Sequence, residues 1–411
     1  MSIVPLVNHC RSDGQDNKDY SLWYQTGQHF AHGEKLYPTE ENKVFDFMYP
    51  PFAAMLLGGL SLGGPTVMLV SLLMLNALSL AVAVELTVRM IAGRGDVPLI
   101  LRTLPATVSI FLINDMFGLG QPNLGLYCLL LGGLMLVRSG WESAGGILFA
   151  VAAAAKAFPV VILAYLLYRR AWRASTAMVV GIAVFLVLAP APFRGLERNL
   201  GELKTWANGM LFRQNASGHG QRPEQSTSWR NQSLSAVAHR YLRQADAEAD
   251  SFGEAPPMYI NFVDVGYRNA SLLIVGMCAA LGFAFIAVMP RRTDRTRETD
   301  ALEFGMLLTL ITIGTPYAFS YYFVWLLFPF TVCVYYAIAG ANRSDRRIAW
   351  ATGIASVVLY AAGAPFTPWY HLINAIGNFF WASIVLLIGM AVLLMRIRKM
   401  RGVPSAAREP E

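Results

Sequence analysis

Residues 138–170 read RSGWESAGGILFAVAAAAKAFPVVILAYLLYRR, and the way this stretch meets a membrane decides the fold. Between Arg138 and the pair Arg169-Arg170 the residues are mostly apolar, with Lys156 and Pro159 set among them. Short basic clusters beside apolar runs belong on the cytoplasmic side. Arg138 and Arg169 can share that side only if 141–168 enters the bilayer and comes back. At the helical rise of 1.5 Å per residue, these twenty-eight residues form two helices of about two-thirds of a span each. Lys156 and Pro159 then stand near the turn. A single crossing would send every later basic cluster outward, so the hairpin is the preferred reading.

The rest of the chain agrees with a membrane protein. Of 411 residues, 55% are hydrophobic and 14% charged, with mean hydropathy +0.43. A soluble domain carries about a quarter charged residues. Further apolar runs fall near 65–92, 97–113, 121–138, 143–168, 174–190, 267–289, 302–316, 320–340, 348–364 and 377–395. The run 51–62 is too short to cross and reads as an interfacial or re-entrant helix. This predicts an all-α polytopic membrane protein with about ten to twelve membrane helices, short re-entrant ones included, in a single domain over 1–400. The tail 401–411 reads as disordered and cytoplasmic. Much of the net charge of +7 lies beside apolar runs, which suits topology and anionic lipid headgroups better than nucleic acid. Cys10, Cys128, Cys278 and Cys333 are far apart, so neither disulfides nor a metal site is expected.

Orientation follows from Arg89 and Arg94, Arg138, Arg169/Arg170/Arg173, Arg291/Arg292/Arg295/Arg297, Arg343/Arg346/Arg347 and Arg396/Arg398/Lys399/Arg401, all assigned to the cytoplasm. The outer face then carries 1–48, 114–120, 191–265, 316–321 and 365–376. The 191–265 loop holds eight basic and eight acidic residues and is long enough to escape the charge rule. Placed outside, it joins the N-terminal segment where a joint active site can form. The chain as written starts outside; a cytoplasmic start would need one more helix before residue 1, absent from this sequence or lost to a late start codon. Residues 1–20 are too polar for a cleavable signal peptide.

Within the outer segments, 19–37 has a helical pattern, with Tyr20, Trp23, Tyr24, Gly27 and Phe30-Ala31 roughly on one face. It suits a helix lying on the membrane surface, its aromatics at headgroup level. Residues 229–243 read as a second amphipathic helix. Residues 213–228, rich in Gly, Ser, Gln and Arg, read as a flexible loop that can serve as a substrate lid.

Several residues are candidates for chemistry. Asp19 suits a general base that takes a proton from an attacking hydroxyl, or else a helix N-cap or solvated carboxylate like Asp13 and Asp16. Gly120-Gln121-Pro122-Asn123 opens an apolar helix; Gln121 and Asn123 are either sugar or phosphate ligands or ordinary polar caps. Lys156, an ionisable group in an apolar run, either holds a phosphate or snorkels to the interface. Arg230, Asn231 and Gln232 are dense in hydrogen-bonding groups at a helix start, where a capping turn is the plain alternative. Tyr24, Tyr49, Tyr321, Tyr322 and His371 are further candidates on the same face; the tyrosines suit an aromatic belt, and a lone His is commonly structural. No Walker loop, zinc motif, dinucleotide fingerprint or serine-hydrolase elbow occurs.

In chain order, Asp19-Tyr20 with Tyr24, Gly33 with Leu36-Tyr37, Tyr49-Pro50-Pro51, Gly120-Gln121-x-Asn123, Lys156-x-x-Pro159, Asn231-Gln232-Ser233 and Thr315-Pro316 with Trp325-Leu326-Leu327 resemble glycosyltransferase family 87, the bacterial polyprenol-phosphate-mannose-dependent mannosyltransferases of the GT-C fold. No single motif is specific; their order and predicted membrane side are. The resemblance implies inverting transfer of a hexose, mannose first, from polyprenyl phosphate to a cell-envelope glycan or glycolipid on the outer face of the plasma membrane. It gives Asp19 the role of base and places Lys156, Gln121 and Asn123 in the donor site. Arg230 beside Asn231 is added as a phosphate contact from its position. Two departures stand out. The family begins with a membrane helix before its acidic loop. It also often has Trp followed by acidic or His residues where this chain has Ala318-Phe319-Ser320-Tyr321-Tyr322.

The expected partners are therefore a polyprenyl-phosphate sugar, an acceptor glycan or glycolipid and membrane lipids, with no nucleic acid and no resident cofactor or metal. A multi-pass lipid flippase or transporter explains the helices and Lys156 equally well. It predicts more ionisable groups deep in the helices and shorter outer loops than this chain has.

Overall fold

The structure is a computed structural model that describes residues 19–38, 45–93, 95, 97–215, 218–219, 223–250, 255–364 and 368–402. Asp13, Asp16, Cys10, Arg94, the tail beyond 402 and parts of 213–228 and 365–376 lie outside the described residues.

Regular structure among the described residues is helical apart from one short ladder, Gln214–Asn215 with Gly218–His219. In order, the main helices are α1 (Asp19–Ala31), α2 (Pro51–Ser61), α3 (Pro65–Ala92), α4 (Ile100–Val108), α5 (Ile110–Leu119), α6 (Asn123–Arg138), α7 (Glu142–Ala155), α8 (Ile162–Tyr168), α9 (Trp172–Ala183), α10 (Leu196–Ala207), α11 (Leu234–Leu242), α12 (Gly266–Val288), α13 (Arg297–Gly314), α14 (Leu327–Ala339), α15 (Arg343–Ala362), α16 (Tyr370–Ile376) and α17 (Asn378–Gly402). Among the described residues five helical stretches are long and apolar enough to cross a membrane, or six if the bent pair α4–α5 counts as one; shorter apolar helices include α2, α6, α7 and Phe158–Tyr168. The protein is an all-α, multi-pass membrane protein. It folds as two compact units: residues up to Leu86 with Leu112–Ser226, and Thr87–Phe111 with Thr227 onward.

In the first unit the 141–168 stretch forms the hairpin expected of it. Gly133 of α6 leaves room for the Phe149 ring, and Gly145 packs on Gly133 O and Val137, so α6 and α7 run antiparallel. Gly146 packs on Ala174 and Ala177, while Gly181 packs on Ala150. Contacts that advance together along α7 and α9 mean that these two helices run parallel. Two parallel helices this close in sequence require the chain between them to return. It does so after Lys156, through the turn Phe158–Val161 and then α8. α8 closes with Ala171 N donating to Leu166 O and Arg170 N to Leu167 O, a Schellman pattern with Arg170 left-handed at φ 54°. Arg138 and Arg169 thus end on the same side of this unit.

α1 differs from its expected role as a surface helix with aromatics in the headgroups. Tyr20, Trp23 and Phe30 are buried in a cluster with Tyr37, Phe45, Phe47 and Trp206. Gly27 lies against Leu57 O and Ser61, so α1 and α2 cross with their backbones close together. α2 starts with Pro51 at its first position, where the missing N–H costs nothing.

In the second unit α13 and α14 are largely buried, and α17 packs against α13 and α15. α13 opens on a reciprocal Thr296–Thr299 capping box and α15 on an Asn342 N-cap. The 229–243 prediction narrows to α11, capped by Ser233 Oγ, which accepts from Ala236 N at 3.0 Å.

Candidate active site

The first unit brings Asp19, Tyr49, Gln121, Asn123 and Lys156 together, although they are spread over more than a hundred residues of sequence. Asp19 opens α1, where a carboxylate complements the helix dipole. Two side chains fix that end of the helix to the last turn of α5 and the loop after it. Tyr20 OH donates to Phe117 O at 2.9 Å and Trp23 Nε1 to Gly120 O at 3.0 Å. Gly120 is left-handed at φ +81°, and the Tyr20 ring occupies the space a Cβ would need. Glycine is therefore required there twice over.

The other end of α1 is held as firmly. Glu34 N donates to His29 O at 2.7 Å and Gly33 N to Phe30 O at 3.2 Å, a Schellman closure with Gly33 at φ +69°. The buried Arg194 guanidinium donates to the carbonyls of His29 at 3.3 Å and Glu34 at 2.6 Å, and pairs with Glu202. A cation at the C-terminal carbonyls is favourable for the dipole. The carbonyl acceptors together with Glu202 offset the cost of burying the charge.

Between these anchors runs a polar chain. Gln121 Nε2 donates to Asp19 Oδ2. Gln121 Oε1 accepts from Lys156 Nζ at 3.2 Å and from Tyr49 OH at 3.2 Å. Lys156 Nζ also donates to Asn123 Oδ1 at 2.9 Å and stands 4.9 Å from the Tyr49 ring centroid. Gln121, Asn123 and Lys156 are buried; Asp19 and Tyr49 are half-buried. The charge of Asp19 acts directly on the Lys156 ammonium. Asn76 Nδ2 fixes the loop itself by donating to Gln121 O at 3.1 Å.

Local structure explains why these side chains point inward. Asn123 is not the cap of α6: Pro122 occupies that position without a side-chain hydrogen bond, which leaves the Asn123 amide for Lys156. Lys156 ends α7 in an extended conformation (φ −152°, ψ 86°), so its stem leaves the apolar helix rather than lying along it. Tyr49 is braced by Trp23 at 5.3 Å and Phe47 at 5.6 Å, and its carbonyl accepts from Tyr37 OH at 2.5 Å. Burial, followed by the Glu202 charge, pushes the Tyr37 hydroxyl well above its usual range, so it stays a donor. Tyr24 is half-buried at the edge of the same cluster. The ensemble offers a half-exposed carboxylate able to accept a proton and a buried ammonium able to hold an oxyanion, joined by one amide.

The remaining candidates belong to the second unit, where their contacts are architectural. Asn231 Nδ2 donates to Pro316 O at 2.8 Å, and its Oδ1 accepts from Ala318 N and Ser233 N, both at 3.1 Å. Gln232 Nε2 donates to Trp229 O and Asn374 O, both at 2.7 Å. The Asn-Gln-Ser motif and the Thr315-Pro316 motif are therefore two halves of one junction. Arg230, half-exposed, lies 3.7 Å from Asp250 and 5.1 Å from the Trp229 ring. Burial raises the Asp250 carboxyl, against the opposing pull of Ser228 and Arg230. His371 stacks on Trp229 at 4.3 Å, with Nδ1 2.6 Å from Glu248 Oε1. Tyr321 and Tyr322 are buried in a ring ladder that runs from Tyr317 through Phe319.

Arg240 had no signal in the sequence beyond its place on an amphipathic helix. Its buried guanidinium donates to Ala375 O at 2.7 Å, Ser228 O at 2.6 Å and Asn231 O at 2.9 Å, and burial lowers its pKa to about 9. Arg240→Met removes the donor that these carbonyls share and should cost at least about 2 kcal/mol, read as a lower melting temperature in detergent. Arg230→Ala, which removes an exposed guanidinium 3.7 Å from the buried Asp250 carboxylate, should cost under about 1 kcal/mol. Equal losses would refute the distinction.

No curated protein matches the chain. The model of glycosyltransferase family 87 matches residues 47–316, which includes Tyr49, Gln121, Asn123, Lys156 and Arg230 to Gln232, while Asp19 precedes the matched stretch. A family match over most of a multi-pass, all-α chain makes the protein a membrane glycosyltransferase, with a sugar donor and an acceptor as its substrates: the chain belongs to glycosyltransferase family 87.

Proposed function

We propose that this glycosyltransferase moves a hexose, mannose in the first instance, from polyprenyl phosphate to a cell-envelope glycan or glycolipid, with inversion, on the outer face of the bacterial plasma membrane. The observation that carries the reading is the chain from Asp19 through Gln121 to Lys156 and Asn123. Donor and base chemistry need opposite charges close together but not interchangeable, and this chain supplies them. Lys156 holds the donor phosphate, helped by Asn123 and Gln121. Asp19 takes the proton of the acceptor hydroxyl as its oxygen forms the new bond to the anomeric carbon. The bond from that carbon to the phosphate oxygen breaks on the opposite face, and polyprenyl phosphate departs with its charge against Lys156.

Labelled polyprenyl-phosphate mannose, incubated with membranes that contain or lack the protein, tests the donor directly. Label should pass to an acceptor only where the protein is present; label passing from a nucleotide sugar instead would overturn the reading. The leaving group is a phosphate monoester that one ammonium can stabilise, so transfer should persist within about twofold in EDTA. A loss restored by a divalent cation would contradict that expectation.

A further inference from the structure

The stretch Trp172–Arg194 is one of the five long and apolar enough to cross a membrane, and most of its apolar surface is turned away from the protein. It leads through Gly195 into α10 and the following turn Asn208–Phe212. α10 has three faces. On one, Asn199 and Trp206 are buried, and Leu203, Ala207 and Met210 pack on the cluster of Tyr37, Phe45 and Phe47. Trp206 Nε1 donates to Met48 O at 2.9 Å, one residue before Tyr49. On a second face Glu197, Arg198 and Asn208 are exposed. On the third, Leu196, Leu200 and Leu211, with Phe193 before the helix and Phe212 after it, are 44–74% exposed. At about 100° per residue, Leu196, Leu200 and Leu211 fall within about 60° of arc. Lys204 lies at the edge of that arc, with a stem long enough to carry its charge outward.

One helix with a protein face, a charged face and an exposed apolar face touches three media. A helix packed on a soluble domain needs two. The apolar face also continues directly from a membrane span, which identifies its solvent. We propose that α10 and the turn after it lie in the headgroup–acyl boundary, with Phe193, Leu196, Leu200, Leu211 and Phe212 seated among the acyl chains of bilayer lipids. This surface carries a further consequence. Arg194, at the join between the span and α10, holds the C-terminal end of α1, and Trp206 holds the segment of Tyr49. The lipid-seated helix therefore sets the depth of the elements that carry Asp19 and Tyr49.

The test uses the full chain in vesicles of phosphatidylethanolamine and phosphatidylglycerol. Nitroxides are placed on Leu200→Cys and Leu211→Cys, and on Arg198→Cys and Asn208→Cys as controls, with the four native cysteines replaced. Power-saturation spectra should show the first pair reached by oxygen severalfold more than by a water-soluble nickel complex, and the second pair the reverse. Equal access of the nickel complex to all four positions would overturn the proposal, as would shielding of 200 and 211 from both probes, the sign of a second protein copy on this face. A benzophenone residue at 200 or 208 gives the same contrast with the native cysteines kept. Photocrosslinks to lipid from 200 and not from 208 support the proposal; lipid crosslinks from both or from neither refute it.

Discussion

Asp19→Asn is expected to abolish transfer, with kcat lowered by about 10²–10⁴-fold, the usual worth of a positioned base. The substitution is close to isosteric, and the amide oxygen it introduces still accepts from Gln121 Nε2 as Asp19 Oδ2 does. The anchors of α1, namely Tyr20 and Trp23 at one end and Arg194 with Glu202 at the other, do not involve the carboxylate. The variant should therefore fold and keep its melting temperature within a few degrees, with a fall in kcat far larger than any rise in donor KM from the weakened attraction between Asp19 and the Lys156 ammonium. What it mainly loses is proton-accepting power in the transition state, and a loss carried by kcat is the mark of an interaction made there. Asp19→Glu keeps the base but lengthens it, and should recover part of the rate. Substantial residual turnover in Asp19→Asn, or a loss matched by unfolding, would remove Asp19 from the chemistry and leave it as the first residue of a helix.

Much of the fold could be read from one-dimensional pattern because membrane topology is itself one-dimensional. Apolar runs and basic clusters led to the hairpin at 141–168, which the parallel packing of α7 on α9 bears out. The polar members of the candidate site were also visible, because Lys156 in an apolar run and Gln121 with Asn123 at a helix start are costly where they stand unless something meets them. That they meet one another was not visible. The Gln121–Lys156 and Gln121–Asp19 bonds join residues 35 and 102 positions apart. Arg194 and Arg240 escaped notice for the same reason: a basic residue in a polar loop or on an amphipathic helix reads as solvated, and only the fold shows carbonyls 160 and 135 residues away gathered around it. The aromatic face of α1 misled in a different way. Tyr20, Trp23 and Phe30 at helical spacing fit a headgroup belt or a protein core equally well, and the close Gly27 contact on α2 decided for the core. The helix proposed to lie in the headgroup–acyl boundary, α10, has its exposed leucines in a stretch whose sequence reads only as loop.

Lys156→Met tests the other end of the polar chain and should lower kcat/KM for the lipid donor by about 10²-fold, the worth of one charged hydrogen bond at about 1.5–3 kcal/mol. Methionine matches the stem of lysine in length and suits the apolar end of α7, so the change removes the ammonium with little disturbance of packing. Two readings of Lys156 then separate. If it only ties Asn123 to Gln121, its loss leaves each of the two amide oxygens with one donor fewer. That costs stability, and the folded fraction keeps its affinity for donor. If it holds the phosphate, donor KM rises and kcat falls together, because the charge is needed both for the bound diester and for the departing monoester, on which negative charge accumulates. Lys156→Arg sharpens the contrast. It preserves the charge but replaces a compact ammonium with a planar fork in a buried site sized for Nζ between Asn123 and Gln121, so it should recover only part of the rate. Raising the salt concentration should not mimic either variant, since buried charges are poorly screened. A Lys156→Met protein with wild-type donor KM and a lowered melting temperature would return Lys156 to a purely structural part and take the phosphate site elsewhere.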